Sequence, residues 1–252
     1  MQYSKFNNVY FDFINAKLRQ GMKLRIDVGT SINAPVSKWW ADNLEDRFII
    51  VIEPNPDCWH AQNLHPRLQQ FMNVPKVFGN NDNVYGIEGG CDNVTELEQK
   101  DFHIMNYHQG NSSFLMPHNG MIPNDEQDIT IDRTEKVDVF SLGMLLDKLD
   151  YEYVELIKTD AQGKDLDIMK GLGDHVDRVL HMDCENDVTN QYAGAGTYGD
   201  LLSYAEEIGF ERYANLPGGD TRFWNTDSMV SPMVTLIKLV MRVTNDLPLH
   251  FC

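Results

Sequence analysis

The chain has few cysteines and no arrangement of them that does chemistry. Cys58, Cys91, Cys184 and Cys252 form no C-x-x-C pair and follow no regular spacing. That excludes a zinc ribbon and a disulfide framework, and points to a reducing, intracellular setting. Basic clusters are absent too. With 38 acidic against 21 basic side chains the formal charge is −17. Such a field keeps a protein in solution and repels phosphate backbones, so nucleic acid is disfavoured as a partner. No apolar run is clean enough to span a bilayer: the most hydrophobic late stretch, 229–243, is broken by Pro232, Lys238 and Arg242. The first residues lack the charged-then-apolar order of a signal peptide. A soluble, cytoplasmic protein is the expectation. One further absence says more. A dinucleotide fold needs G-x-G-x-x-G after its first strand so that backbone can approach a pyrophosphate. After Gly29 this chain has Thr30, Ser31 and Asn33 instead.

What the chain does have is a βαβ unit with an acid at each strand tip. The apolar run from Lys23 ends in Asp27 and Gly29, the run from Phe48 ends in Glu53, and residues 36–43 between them read as one helix. This is the layout of a site for an adenosine-containing cofactor. Without an anion cradle, a cofactor lacking phosphate fits it best, and S-adenosylmethionine is such a cofactor. Glu53 is placed to accept hydrogen bonds from ribose hydroxyls.

At 252 residues the chain fits one large α/β domain. Residues 1–22 read as an N-terminal helix, 23–228 as the catalytic domain and 229–252 as a C-terminal helix or tail. The stretch 229–243 would pack on the domain or form a homodimer surface. Within the domain, strands are expected at 83–90, 102–106, 137–141, 153–160 and 179–185, with helices at 57–64, 142–149, 164–172 and 200–208. Residues 210–214 and 221–225 read as a closing hairpin around Pro217 and the two glycines that follow it. Alternating strands and helices predict a Rossmann-like, doubly wound, mainly parallel seven-stranded sheet with an antiparallel closing strand.

In such a sheet ligands bind outside the carboxyl ends of the strands. Asp27, Glu53, Asp160 and Glu185 all fall at predicted strand ends. Single acids there often form turns or helix caps. Four along one edge repel one another unless a ligand, cation or donor compensates them.

The ordered motifs also resemble a known family. Asp27-Val-Gly, Glu53-Pro-Asn-Pro, Gly110-Asn-Ser-Ser, the block from Val137 to Asp147, and Ile157-Lys-Thr-Asp-Ala-Gln-Gly-Lys-Asp-Leu are similar to those of FkbM-type methyltransferases. These are class I, S-adenosylmethionine-dependent enzymes, mostly O-methyltransferases of sugars and polyketides. The resemblance covers residues 23–225. It implies that Asp27, Gly29, Thr30 and Ser31 form the first cofactor loop and that Glu53 holds the ribose. It further implies that Cys91 and Asp92 line the adenine pocket, that Ser112 and Ser113 lie near the cofactor, and that Asp160 faces the reaction centre. Thr30-Ser31-Ile32 departs from the family, which more often has a further glycine.

Methyl transfer to oxygen needs an aligned donor and acceptor and a destination for the acceptor's proton. Asp160 can take that proton, or hold a divalent cation such as Mg²⁺ together with Glu185. Lys158, two residues earlier on the same strand, points to the same side and can stabilise an alkoxide or form an ion pair. His108, just before Gly110, is a competing base; His181, inside a strand, reads as packed. Trp39 and Trp40 read as packing residues, and the loop with Tyr192 and Tyr198 as a selector of the acceptor. The first reading is thus an O-methyltransferase acting on a small molecule or sugar. The alternatives are an RNA 2′-O-methyltransferase, which the acidity opposes, and a non-catalytic module that binds S-adenosylmethionine.

Overall fold

The computed structural model describes residues 2–58, 78, 81–106, 109–118, 130–185, 191–216 and 219–228. Its main sheet contains β1 (Gln2–Lys5), β2 (Lys23–Val28), β3 (Arg47–Glu53) and β4 (Val84–Glu88). The strands β5 (Gly90–Cys91), β6 (Glu98–Met105) and β7 (Ile131–Phe140) make a second, smaller sheet. The main sheet resumes with β8 (Val154–Thr159), β9 (His181–Cys184), β10 (Phe210–Asn215) and β11 (Thr221–Asn225). The helices are α1 (Phe11–Leu18), α2 (Pro35–Asn43), α3 (Leu142–Leu146), α4 (Asp165–Lys170) and α5 (Tyr198–Glu207).

Strand order in the main sheet is β1-β4-β3-β2-β8-β9-β11-β10. Seven of these strands form the expected Rossmann-like unit, and β11 runs antiparallel to both β9 and β10. The chain winds outward from β2 through β3 to β4, then restarts at β8 on the other side of β2. The order therefore reverses between β2 and β8, and a crevice opens beyond their carboxyl ends.

Alternation along the strands sends side chains to two cores. In β3, Phe48, Ile50 and Ile52 join Ile26, Ile157, Met182 and Phe223 against α1, α3, α4 and α5. Ile49 and Val51 join Leu156 against Trp40 of α2. A strand buried on both faces reads as the unbroken apolar run seen at 48–52. Among the described residues no helix is long and apolar enough to cross a membrane.

Helix ends follow local chemistry. Pro35 opens α2 at a position that needs no N–H. Thr197 and Asp200 form a capping box that starts α5. Gly209, at φ +84°, closes the same helix with its N–H on the Glu206 carbonyl.

Two expectations change. Residues 1–22 are not one helix. β1 pairs in parallel with β4 and makes an eighth strand, a 3₁₀ turn follows at Phe6–Asn8, and α1 begins only at Phe11. The edge of β4 offers unpaired backbone groups that β1 satisfies, and Phe6 anchors the turn by stacking on Phe140 at 4.4 Å. The strands expected at 102–106 and 137–141 are the C-terminal parts of the longer antiparallel pair β6 and β7, outside the main sheet. The N-terminal part of each strand, with Lys100 and Asp101 in β6 and Arg133 and Glu135 in β7, is polar and half-buried or exposed, so the pattern there does not look strand-like. The C-terminal stretch 229–243 and most of the helix expected at 57–64 lie outside the described residues.

Candidate active site

The two central strands cross closely at their tips. Gly29 donates its N–H to the Ile52 carbonyl at 2.9 Å, and Asp160 donates to Val28 at 3.0 Å. A Cβ on Gly29, at φ +78°, would lie 1.9 Å from the Asp160 carbonyl oxygen. Glycine is required there because β2 and β8 touch, before any ligand is considered.

Beyond this crossing lies a cavity of about 250 Å³. Gly29, Ser31 and Glu53 form one part of its wall, and Cys91, Phe102 and Phe114 another. Asp160, Gln162 and Glu185 supply a third part, and Gly110, Asn111 and Ser112 a fourth. Three of the described wall residues are acids, and none is Lys or Arg.

Glu53 is buried with both oxygens occupied by backbone donors. Ser31 N–H reaches Oε2 at 2.7 Å, and Asn55 N–H reaches Oε1 at 2.8 Å. Burial nevertheless outweighs these bonds and pushes the carboxyl up to about 7. Each oxygen keeps a lone pair for a further donor.

Asp27 is 1% exposed and points at the start of α2, where Ser37 lowers its pKa. Its Oδ1 has no hydrogen-bond partner, although the Lys158 ammonium lies 3.7 Å away. Burial raises this carboxyl, and Lys158 only partly offsets that. Neither Asp27 nor the buried Thr30 is on the cavity wall.

Asp160 and Glu185 meet through one amide. Gln162 Nε2 donates to Asp160 Oδ1 at 2.9 Å and to Glu185 Oε2 at 3.0 Å. Burial pushes Glu185 well up, and Asp160 and Asp165 beside it add to the effect. Lys158 Nζ sits 3.3 Å from Asp160 Oδ2 but does not reach the wall. Burial alone would lower the lysine; Asp27, Asp160 and Asp220 outweigh it and keep the ammonium charged. Lys158 is thus a fixed counter-charge rather than a proton acceptor.

The cation expected between Asp160 and Glu185 is not supported. The Gln162 amide places a proton donor between them where a metal would need a lone pair. Among the described residues no three His, Cys, Asp or Glu side chains converge as ligands.

The remaining expectations divide. Cys91 lines the cavity, its thiol raised by burial and then by Asp92. Asp92 does not line it: Oδ1 pairs with Lys164 at 2.9 Å and Oδ2 with Lys100 at 3.0 Å. Burial alone would raise that carboxyl, but the two lysines hold it below the usual carboxylate range. It fastens β5 to the start of α4 rather than facing adenine. Ser112 reaches the wall while its hydroxyl accepts from Met105 N–H at 3.2 Å. Ser113 lies off the wall and donates to the Gln162 carbonyl at 2.8 Å. His108 lies outside the described residues. His181 is packed, with burial lowering its pKa, in a separate cavity against Trp40 and Trp224.

Sequence reasoning singled out none of three wall residues, Gln162, Phe102 and Phe114. Gln162 was visible inside the motif around Asp160, but nothing marked it as the link between two acids. Phe102 and Phe114 pack edge to face at 4.9 Å and form the apolar wall; Gly90 makes room, since a Cβ there would lie 2.3 Å from the Phe114 ring. Tyr192 is buried, with its hydroxyl 2.8 Å from Gln162 Oε1 and 2.7 Å from the Asn111 carbonyl.

No family model matches the chain, and no curated protein matches it. Among solved structures it is similar to methyltransferase FkbM from Methylobacillus flagellatus KT, at 13% identity and a TM-score of 0.43. That match covers 88% of this chain but only 48% of the other. It is also similar to precorrin-6y C5,15-methyltransferase from Geobacter metallireducens GS-15, at 13% identity, 85% and 86% coverage and a TM-score of 0.39. For the N-terminal domain of human METTL16 in complex with SAH the values are 10%, 86%, 68% and 0.35. The fold assignment rests on the strand order itself: a Rossmann-like sheet of seven strands with one antiparallel member, extended by β1.

Proposed function

We propose that this protein is an S-adenosylmethionine-dependent methyltransferase whose acceptor is a hydroxyl of a small molecule or sugar. The observation that carries the reading is the acidic lining of the cavity at the sheet reversal: three carboxyl groups and no Lys or Arg among its described wall residues. Such a site offers a pyrophosphate no cation, whereas a cofactor with positive charge on sulfur and on an amino group would favour the ionised form of these carboxyls. A dinucleotide is disfavoured on the same ground.

Glu53 would take the ribose hydroxyls on the lone pairs that its backbone donors leave free. Phe102, Phe114 and Cys91 would supply the apolar wall for the base. When bound, the cofactor supplies a methyl group already activated on its sulfonium. The protein's own contribution is alignment and proton management. Asp160 would accept the acceptor's proton, with Lys158 behind it and Gln162 across it holding its orientation. This single carboxylate suits a neutral acceptor that must lose one proton, which supports the hydroxyl reading.

Calorimetric titration tests the reading. S-adenosylmethionine should bind and NAD(H) should not. Glu53→Ala should weaken binding by about 2 kcal/mol, the worth of charge-assisted hydrogen bonds. Methyl-labelled cofactor should then label a hydroxylated acceptor. No binding of S-adenosylmethionine, or equal affinity in Glu53→Ala, would refute it.

A further inference from the structure

We propose that Tyr192 is a positioning residue for Asp160 and Glu185, acting through Gln162. This rests on the reading of Asp160 as the proton acceptor. The Gln162 side chain has two unlike ends, and the contacts leave one arrangement for them. Its Nε2 faces both carboxyls at 2.9 and 3.0 Å, and a carbonyl at that place would set oxygen against the Asp160 oxygen. Its Oε1 is met at 2.8 Å by the Tyr192 hydroxyl, whose one proton it shares with the Asn111 carbonyl at 2.7 Å. The tyrosine thus completes the bonding that keeps the N–H₂ end turned toward the acids.

Two features show that this geometry is held rather than incidental. Gln162 adopts φ +51°, a left-handed conformation that disfavours a non-glycine residue. Its backbone carbonyl is fixed there by the Ser113 hydroxyl. The tyrosine is equally constrained. Its ring is 3% exposed, and its segment pairs with the other covering segment through Ala193 N–H to Met116 and His118 N–H to Gln191, each at 2.8 Å. Gly163 allows the two segments to meet over Gln162: a Cβ there would lie 3.2 Å from Leu115 and 3.3 Å from Tyr192 Cβ. Tyr192 is not on the cavity wall. It therefore acts on the reaction only through what it touches.

The test is Tyr192→Phe, which keeps the buried ring and removes the hydroxyl. The kinetic readout is the split between kcat and KM, with thermal unfolding to verify the fold. In the wild type, the Gln162 side-chain amide protons should be slowed in exchange and resolved in a ¹H–¹⁵N spectrum. In the variant they should shift and exchange faster. Turnover should fall about tenfold, the fold-change of one neutral hydrogen bond, while KM for S-adenosylmethionine stays within about twofold. Gln162 amide signals that do not change would overturn the inference and leave the methyltransferase reading intact. Changed signals with unaltered kcat would overturn it as well. A wild type that binds no S-adenosylmethionine would instead overturn the proposed function, and the positioning role with it.

Discussion

The sharpest consequence of the site is that cofactor affinity should depend on pH through Glu53. Two backbone N–H groups favour its ionised form, yet burial prevails and the carboxyl stands at about 7 instead of 4.5. That displacement corresponds to a preference of about 3 kcal/mol for the neutral form in the free protein. Ribose hydroxyls donate, so they bind the ionised form better. Affinity should therefore rise with pH and level off above 7. At pH 6 only about one Glu53 in ten is ionised, which makes binding roughly tenfold weaker than at pH 8. Titration calorimetry at pH 5.5 to 8, in buffers of different ionisation enthalpy, should find about half a proton released per cofactor at pH 7. Glu53→Gln should flatten the slope, and the comparison cancels protons from the cofactor's own groups. Stability supplies a second readout. Because the folded pKa is raised, the preference for the neutral carboxyl favours folding fully below 4.5 and is lost as pH rises to about 7. Glu53→Gln should therefore melt higher than the wild type at pH 8. A wild-type affinity that is flat from pH 5.5 to 8 would refute the reasoning.

Other perturbations separate architecture from chemistry. Gly29→Ala forces a side chain into the Asp160 carbonyl at a left-handed φ, and should cost about 3 kcal/mol or more in denaturant unfolding. Asp92→Asn loosens the contacts to Lys164 and Lys100 and should cost about 2 kcal/mol while leaving S-adenosylmethionine affinity unchanged. Since the folded Asp92 carboxyl is lowered, that difference is present above the unfolded value of 3.8 and should shrink as pH falls through the folded one. Asp160→Asn should reduce methyl transfer at least a hundredfold while the protein stays folded and binds cofactor; retained turnover would remove it from the mechanism.

The strands were legible where burial on both faces makes an unbroken apolar run, as at 48–52, or where an acid follows such a run, as at Asp160. Of the residues expected at the site, Gly29, Ser31, Glu53, Cys91, Ser112, Asp160 and Glu185 line one cavity. Misreadings came where partners were distant in sequence. β1 is a strand because β4 presents an open edge more than 80 residues later. Asp92 is drawn off the cavity wall by an ion pair to Lys164, over 70 residues away. The N-terminal parts of β6 and β7 are crowded with charged side chains, so only the pairing reveals them. Gln162 and Tyr192 are joined by a hydrogen bond that two covering segments create, and no local pattern encodes it.

The central claim is that Glu53 and Asp160 face one methyl-donating cofactor from two sides of the cavity beyond β2 and β8. A crystal structure with S-adenosylhomocysteine bound tests it most directly. The account predicts the ribose hydroxyls on the Glu53 carboxylate, the base against Phe102 and Phe114, and the sulfur facing Asp160. An adenosine held elsewhere, or a sulfur turned away from Asp160 and Gln162, would contradict it.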